Sequence, residues 1–256
     1  MQSLLSEFLT SFVFTYFIVF VRFGTALVIM PGIGDTFVSS QIRLLFALAL
    51  SLVVTPALQA HIPAPPSSTF LLSLYIIKEA LIGFFIGLVG RIMISALSIG
   101  GMMISMQSGL ASALVFNPST SSQGSLIGAF LSVAGVTLIF ATDLHHLLIL
   151  TVFESYTLFS FGDLTNIGSM ADAVARLLSD SFRIGVQFSV PFIIVSLMLY
   201  AALGILARLM PQLQVFFIAL PLQIFLGILI LFITLGVAMS YWLGAFETTL
   251  IGMLAQ

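Results

Sequence analysis

The chain is 256 residues long, 60% hydrophobic and only 6% charged, against roughly 25% charged for a soluble domain. Seven Lys and Arg against nine Asp and Glu leave a net charge of −2, so no basic field is available for phosphates and a nucleic-acid partner is excluded. The absence of cysteine also excludes disulfides, thiol catalysis, iron–sulfur clusters and Cys-ligated zinc. What remains is an all-α polytopic membrane protein, read in spans of about 20 apolar residues across a core about 30 Å thick.

The charges are sparse enough to punctuate six or seven helical segments. The first runs from about Phe8 to Met30, interrupted only by Arg22, and ends at the breaker cluster PGIGD, Pro31 to Asp35. No Lys or Arg precedes Arg22, so a basic signal-peptide n-region is lacking and the segment is expected to be a retained helix. The second stretch, Leu44 to Ala60, is 17 residues long and would barely span. A Pro-rich loop, His61 to Thr69, leads to a long apolar segment from Phe70 to about Gly101, which as one helix would measure about 48 Å.

From Gly100 to Gly124 the pattern becomes neutral and rich in Gly and Ser, with an Asn117-Pro118 turn. Two short apolar runs follow, Gly124 to Thr142 and Leu144 to Phe161, separated by Asp143 and predicted to form a tight helical hairpin. Residues 162–183 carry Asp163, Asp172 and Asp180 against Arg176 and Arg183, the most water-compatible stretch. A last hairpin, 184–246, has two charge-free arms, Ile184 to Ala207 and Leu213 to Phe246, joined at Arg208 to Gln212. Pro191 and Pro221 predict kinks inside the arms. Because no basic residue precedes Arg22 or follows Arg208, both termini are expected to face away from the cytoplasm and the Arg208 tip toward it.

Enzyme signatures are missing: there is no G-x-S-x-G elbow, phosphate loop, H-E-x-x-H or complete G-x-G-x-x-G. No cofactor is expected, since the PGIG glycines read as a turn. His145 and His146 are neighbours about 100° apart on a helix and are not expected to converge on a metal. Arg22, Arg91 and Glu154 lie within apolar runs, where ionisable residues are costly; each is either a functional group or a member of a structural ion pair. Small residues recur at fourfold spacing in Gly83/Gly87, Gly124/Gly128/Ser132 and Gly236/Ser240/Gly244, rows that allow close helix approach within the chain or with other subunits. Four of the eleven methionines, including Met102, Met103 and Met106, cluster between Met93 and Met106; they form either a deformable seal or ordinary lipid-facing and core packing.

The stretch RLMPQLQVFFIALPLQIFLGILIL, Arg208 to Leu231, with Pro211, Gln212 and Pro221 in register, resembles the C-terminal signature of the FliR family of flagellar export proteins and their injectisome relatives. The resemblance extends to FVRFGTALVIMPGIG (Phe20 to Gly34), to Arg43, to MQSGLASALVFNP (Met106 to Pro118) and to His145 followed by Glu154. One departure is Asn117, where the family pattern leads one to expect an acid.

The resemblance implies a single export-gate domain over 1–256, a non-enzymatic subunit assembled with FliP-like and FliQ-like subunits and an FlhB-like partner in the bacterial inner membrane, at the flagellar basal body. It also implies that a segment at about 107–123, including Gln107 and Gly109, plugs the closed channel beside Met102, Met103 and Met106. Membrane lipid and unfolded export substrates are the remaining expected partners. The competing reading is a stand-alone ion- or proton-coupled transporter, and an injectisome role stands beside the flagellar one.

Overall fold

A computed structural model of the chain describes residues 2–111, 125–159, 161, 167–210 and 215–254, with seven helices and no strand among them. They are α1 (Gln2–Ile29), α2 (Ser40–Leu58), α3 (Thr69–Gln107), α4 (Leu126–Ala141), α5 (Leu144–Leu158), α6 (Ile167–Leu209) and α7 (Val215–Leu254). Five are long and apolar enough to cross a membrane, and α4 with α5 form a further bent pair. The protein is an all-α, multi-pass membrane protein.

At 39, 43 and 40 residues, α3, α6 and α7 exceed the expected lengths. A rise of 1.5 Å per residue makes each about 58 to 65 Å long, twice the hydrocarbon thickness. α6 opens at Ile167, inside the charged stretch, so Asp172, Arg176, Asp180 and Arg183 stand on its first turns. Pro191 and Pro221 lie inside unbroken helices. The expected tight hairpin of α4 and α5 takes another form: the two meet at 77°. Asp143 sits between them at φ 60°, in the left-handed region.

The PGIGD cluster is the turn its composition suggests. Gly32 takes φ 84°, its N–H donates to Asp35 Oδ2 at 2.8 Å, and Gly34 N–H returns to Met30 O. Ser39 then caps α2 through its side chain, which accepts from Ile42 N–H.

The chain divides into two compact units, and α3, α6 and α7 each contribute residues to both. The first comprises 1–92, 139–177 and 246–256; its fully buried side chains include Ile18, Phe23 and Leu27 of α1, Ile86 and Val89 of α3, Val152 of α5 and Phe246 of α7. The second comprises 93–138 and 178–245, with Met93, Leu97 and Ile104 of α3, Leu131 of α4 and Trp242 of α7 buried. Trp242 Nε1 donates to the Met93 carbonyl at 2.8 Å, which satisfies the indole in the apolar interior. Large apolar side chains also face outward, such as Leu197, Met198, Phe232, Ile233 and Val237, as expected where the solvent is lipid.

Candidate functional site

In the first unit, Arg22 is completely buried on α1 and organises a network. Its Nε donates to Glu79 Oε2 at 2.6 Å and its Nη2 to Glu79 Oε1 at 2.9 Å, a bidentate pair with a carboxylate that is itself 2% exposed. Nη1 donates to Ser155 Oγ at 3.0 Å, Nη2 also reaches the Phe159 carbonyl at 3.3 Å, and the guanidinium lies 3.7 Å over the Tyr156 ring. α1, α3 and α5 are therefore tied together at one charge.

Arg91 pairs with Asp35 of the PGIGD turn. Glu154 is half-buried on α5 and enters no ion pair among the described residues. The three ionisable residues thus stand in separate surroundings. Glu79, the partner that matters most, was not singled out by sequence reasoning: it follows Lys78 and lies 57 positions from Arg22, so no local spacing marks it.

His145 stacks on Phe140 and not on Glu154. The 100° argument against convergence fails here, because the His145 and His146 rings lean together at 4.0 Å and one ligand atom from each, with one from Asp143, lie within 4.8 Å of one another. Asp143 and His146 are both largely exposed.

In the second unit, α3 ends in a polar anchor. Gly109 takes φ 73°, a conformation that suits glycine, while Ser108 N–H donates to Ile104 O and Ala111 N–H to Ser105 O. Ser196 of α6 donates to Gln107 Oε1 at 2.7 Å; Gln223 of α7 donates through Nε2 to the Gln107 carbonyl at 2.6 Å and to Tyr200 Oη at 3.0 Å. A Cβ on Gly109 would lie 3.2 Å from the Gln223 amide, and one on Gly227 would collide with Ser108. The stem of the Gly/Ser segment is therefore gripped by two helices.

Sequence reasoning found Gln107 and Gly109 but missed Ser196, Tyr200 and Gln223. A glutamine two residues after Pro221 in an apolar run was the available signal, since a buried amide demands a partner. Asn117, Pro118, Gly124, Pro211 and Gln212 lie outside the described residues, as does most of the segment 107–123.

The methionines divide. Met102 and Met106, one helical turn apart, are exposed, whereas Met103 accepts a hydrogen bond from Ser189 at 3.4 Å. The small-residue rows divide as well. A Cβ on Gly83 would strike Arg22 O and Thr25 of α1, and one on Gly87 would come within 2.7 Å of Ala26 O. A Cβ on Gly128 would lie 3.0 Å from Ser98 O, and Ser98 and Ser132 hydroxyls meet at 2.8 Å. These rows serve packing within the chain. At Gly236 and Gly244 a Cβ would meet nothing within 4 Å.

The family model for bacterial export proteins, family 1, matches residues 13–249. Among similar proteins, the flagellar biosynthetic protein FliR of Caulobacter vibrioides is 39% identical over 93% of this chain and 95% of its own length. That of Bacillus subtilis is 31% identical over 92% and 91%. The Yop proteins translocation protein T of Yersinia pestis is 28% identical over 89% and 88%. A family match that spans nearly every described helix, including those bearing the Arg22 network and the Gln107 anchor, makes this chain a member of the bacterial export proteins, family 1.

Proposed function

We propose that the chain is a core subunit of the type III export gate of the bacterial flagellum, in the inner membrane at the basal body, and that its segment 107–123 plugs the closed channel. The observation that carries the plug reading is the anchor: the segment leaves α3 at a residue held by Ser196 and Gln223, so its stem is fixed while its neutral Gly/Ser-rich body is free of charges that would select cargo or cost desolvation in a closed pore. Unfolded export substrates pass when the segment moves aside, and no residue here turns over a substrate.

FliP-like, FliQ-like and FlhB-like subunits supply the rest of the gate. The exposed Gly236/Ser240/Gly244 row on α7 is the surface offered for tight helix contact, since a Cβ there meets nothing of this chain at either glycine. The flagellar system is favoured over the injectisome by identity, 39% against 28%. Against a stand-alone proton-coupled transporter stands the separation of the ionisable residues: Arg22 engages Glu79, Arg91 engages Asp35, and Glu154 joins neither pair.

Deleting residues from Gly109 to Ser122 tests the plug. Cells carrying the assembled gate are expected to become leaky to small solutes, and unchanged permeability would refute the assignment.

A further inference from the structure

A groove in the first unit lies outside both sites. α1, α2 and α3 leave an open groove of about 810 Å3, within the 300 to 1,000 Å3 range of small-molecule sites. Its walls are almost wholly apolar, with Gly24 and Val28 of α1, Leu44 of α2 and Ile77, Leu81 and Phe84 of α3. Arg43, in the first turn of α2, lines the same groove together with Ser40.

Arg43 is an unusual cation. Its Nη1 donates to Gly34 O at 3.3 Å, and its Nη2 to Asp35 O at 3.3 Å and to Val38 O at 2.8 Å, all backbone carbonyls. Its buried Nε–H has no acceptor. It enters no ion pair among the described residues. The nearby Asp35 carboxylate does not neutralise it, because Oδ1 is engaged by Arg91 and Oδ2 by Gly32 N–H. Two guanidiniums and one carboxylate leave one net positive charge at the groove. Carbonyls orient a guanidinium but do not balance its charge, and the N-terminus of α2 adds positive field at the same place.

A long apolar groove carrying one uncompensated cation matches a molecule with an apolar tail and an anionic head. We propose that this groove binds an anionic phospholipid, its phosphate at Arg43 and Ser40 and an acyl chain along Gly24, Val28, Leu81 and Phe84. The helices that line the groove, α1, α2 and α3, are each long and apolar enough to cross a bilayer, where such molecules are the solvent, and basic pockets between membrane helices are known to select anionic head groups. The bound lipid fills the space between α1, α2 and α3 and completes the charge balance of the PGIGD turn.

The test uses the full-length protein, extracted in detergent and stripped of lipid, with native mass spectrometry as readout. It is titrated with palmitoyl-oleoyl phosphatidylglycerol and, separately, with phosphatidylcholine of the same acyl chains. The intact protein is expected to bind phosphatidylglycerol at least about tenfold more tightly, the size of a single charge-assisted contact. Arg43→Gln is expected to abolish that preference.

Because Arg43 also braces a turn, Gly24→Leu provides a second variant that leaves the cation in place. A Cβ at Gly24 meets only the Phe20 ring, at 3.7 Å, so the leucine projects into the groove without striking backbone. It is expected to weaken phosphatidylglycerol binding about tenfold with helicity and melting unchanged. Equal affinity for the two lipids in the intact protein, or full phosphatidylglycerol binding by Gly24→Leu, would overturn the proposal and give the groove to a protein partner.

Discussion

Arg22 and Glu79 illustrate what a buried charge can do in an apolar chain. Removing one partner of a buried pair leaves the other uncompensated and costs about 3 to 5 kcal/mol, whereas replacing both with apolar residues is often neutral. Glu79→Ala is therefore expected to lower the melting temperature sharply in detergent, and Arg22→Met combined with Glu79→Leu to recover most of the loss. A double variant as unstable as the single one would show that the network has a role beyond mutual compensation. At the anchor, Gln223→Leu keeps the size of the side chain but removes the donor to the Gln107 carbonyl, at a cost of about 1 to 3 kcal/mol. Solute leakage short of that of the full deletion is expected from cells carrying this variant, and a tight membrane would separate the anchor from closure. Arg22 was visible in the sequence because a charge inside an apolar run stands out. Glu79 and Gln223 stand inside apolar runs too, but their partners, like that of Ser196, depend on which helices the fold brings together.

Among the helices, the small-residue rows separate into two kinds, and substitution distinguishes them. Gly87→Leu drives a side chain into the Ala26 carbonyl and Ile29 of α1 and is expected to destabilise the isolated subunit. Gly236→Leu with Gly244→Leu meets open space; the isolated subunit is expected to keep its stability while losing co-purification with its partners. Normal co-purification would exclude that face of α7 from the interface. The rows themselves could be read from spacing, but their division could not, since a GxxxG pattern is the same whether its partner helix lies in the same chain or another. Helix positions followed from hydropathy for a similar reason: apolar length is a property of the sequence alone. The 77° bend between α4 and α5 did not, because it turns on Asp143 adopting a left-handed conformation, which nothing in the apolar pattern announces. Nor was the early start of α6 evident. Its charged first turns break the apolar run without breaking the helix.

For the molecule as a whole, helices of about 58 to 65 Å are too long for a single bilayer crossing and leave apolar surface that lipid alone does not cover. Heterologous subunits around the protein would account for both. The family resemblance carried by Arg208 to Leu231 and by Met106 to Pro118 implies such an assembly, and the family model matches residues 13–249. The most direct test is the native mass of the detergent-extracted protein after co-expression with FliP-like and FliQ-like subunits. The account predicts one defined hetero-oligomer containing this chain. A monomer or homodimer with the partners left behind would contradict it.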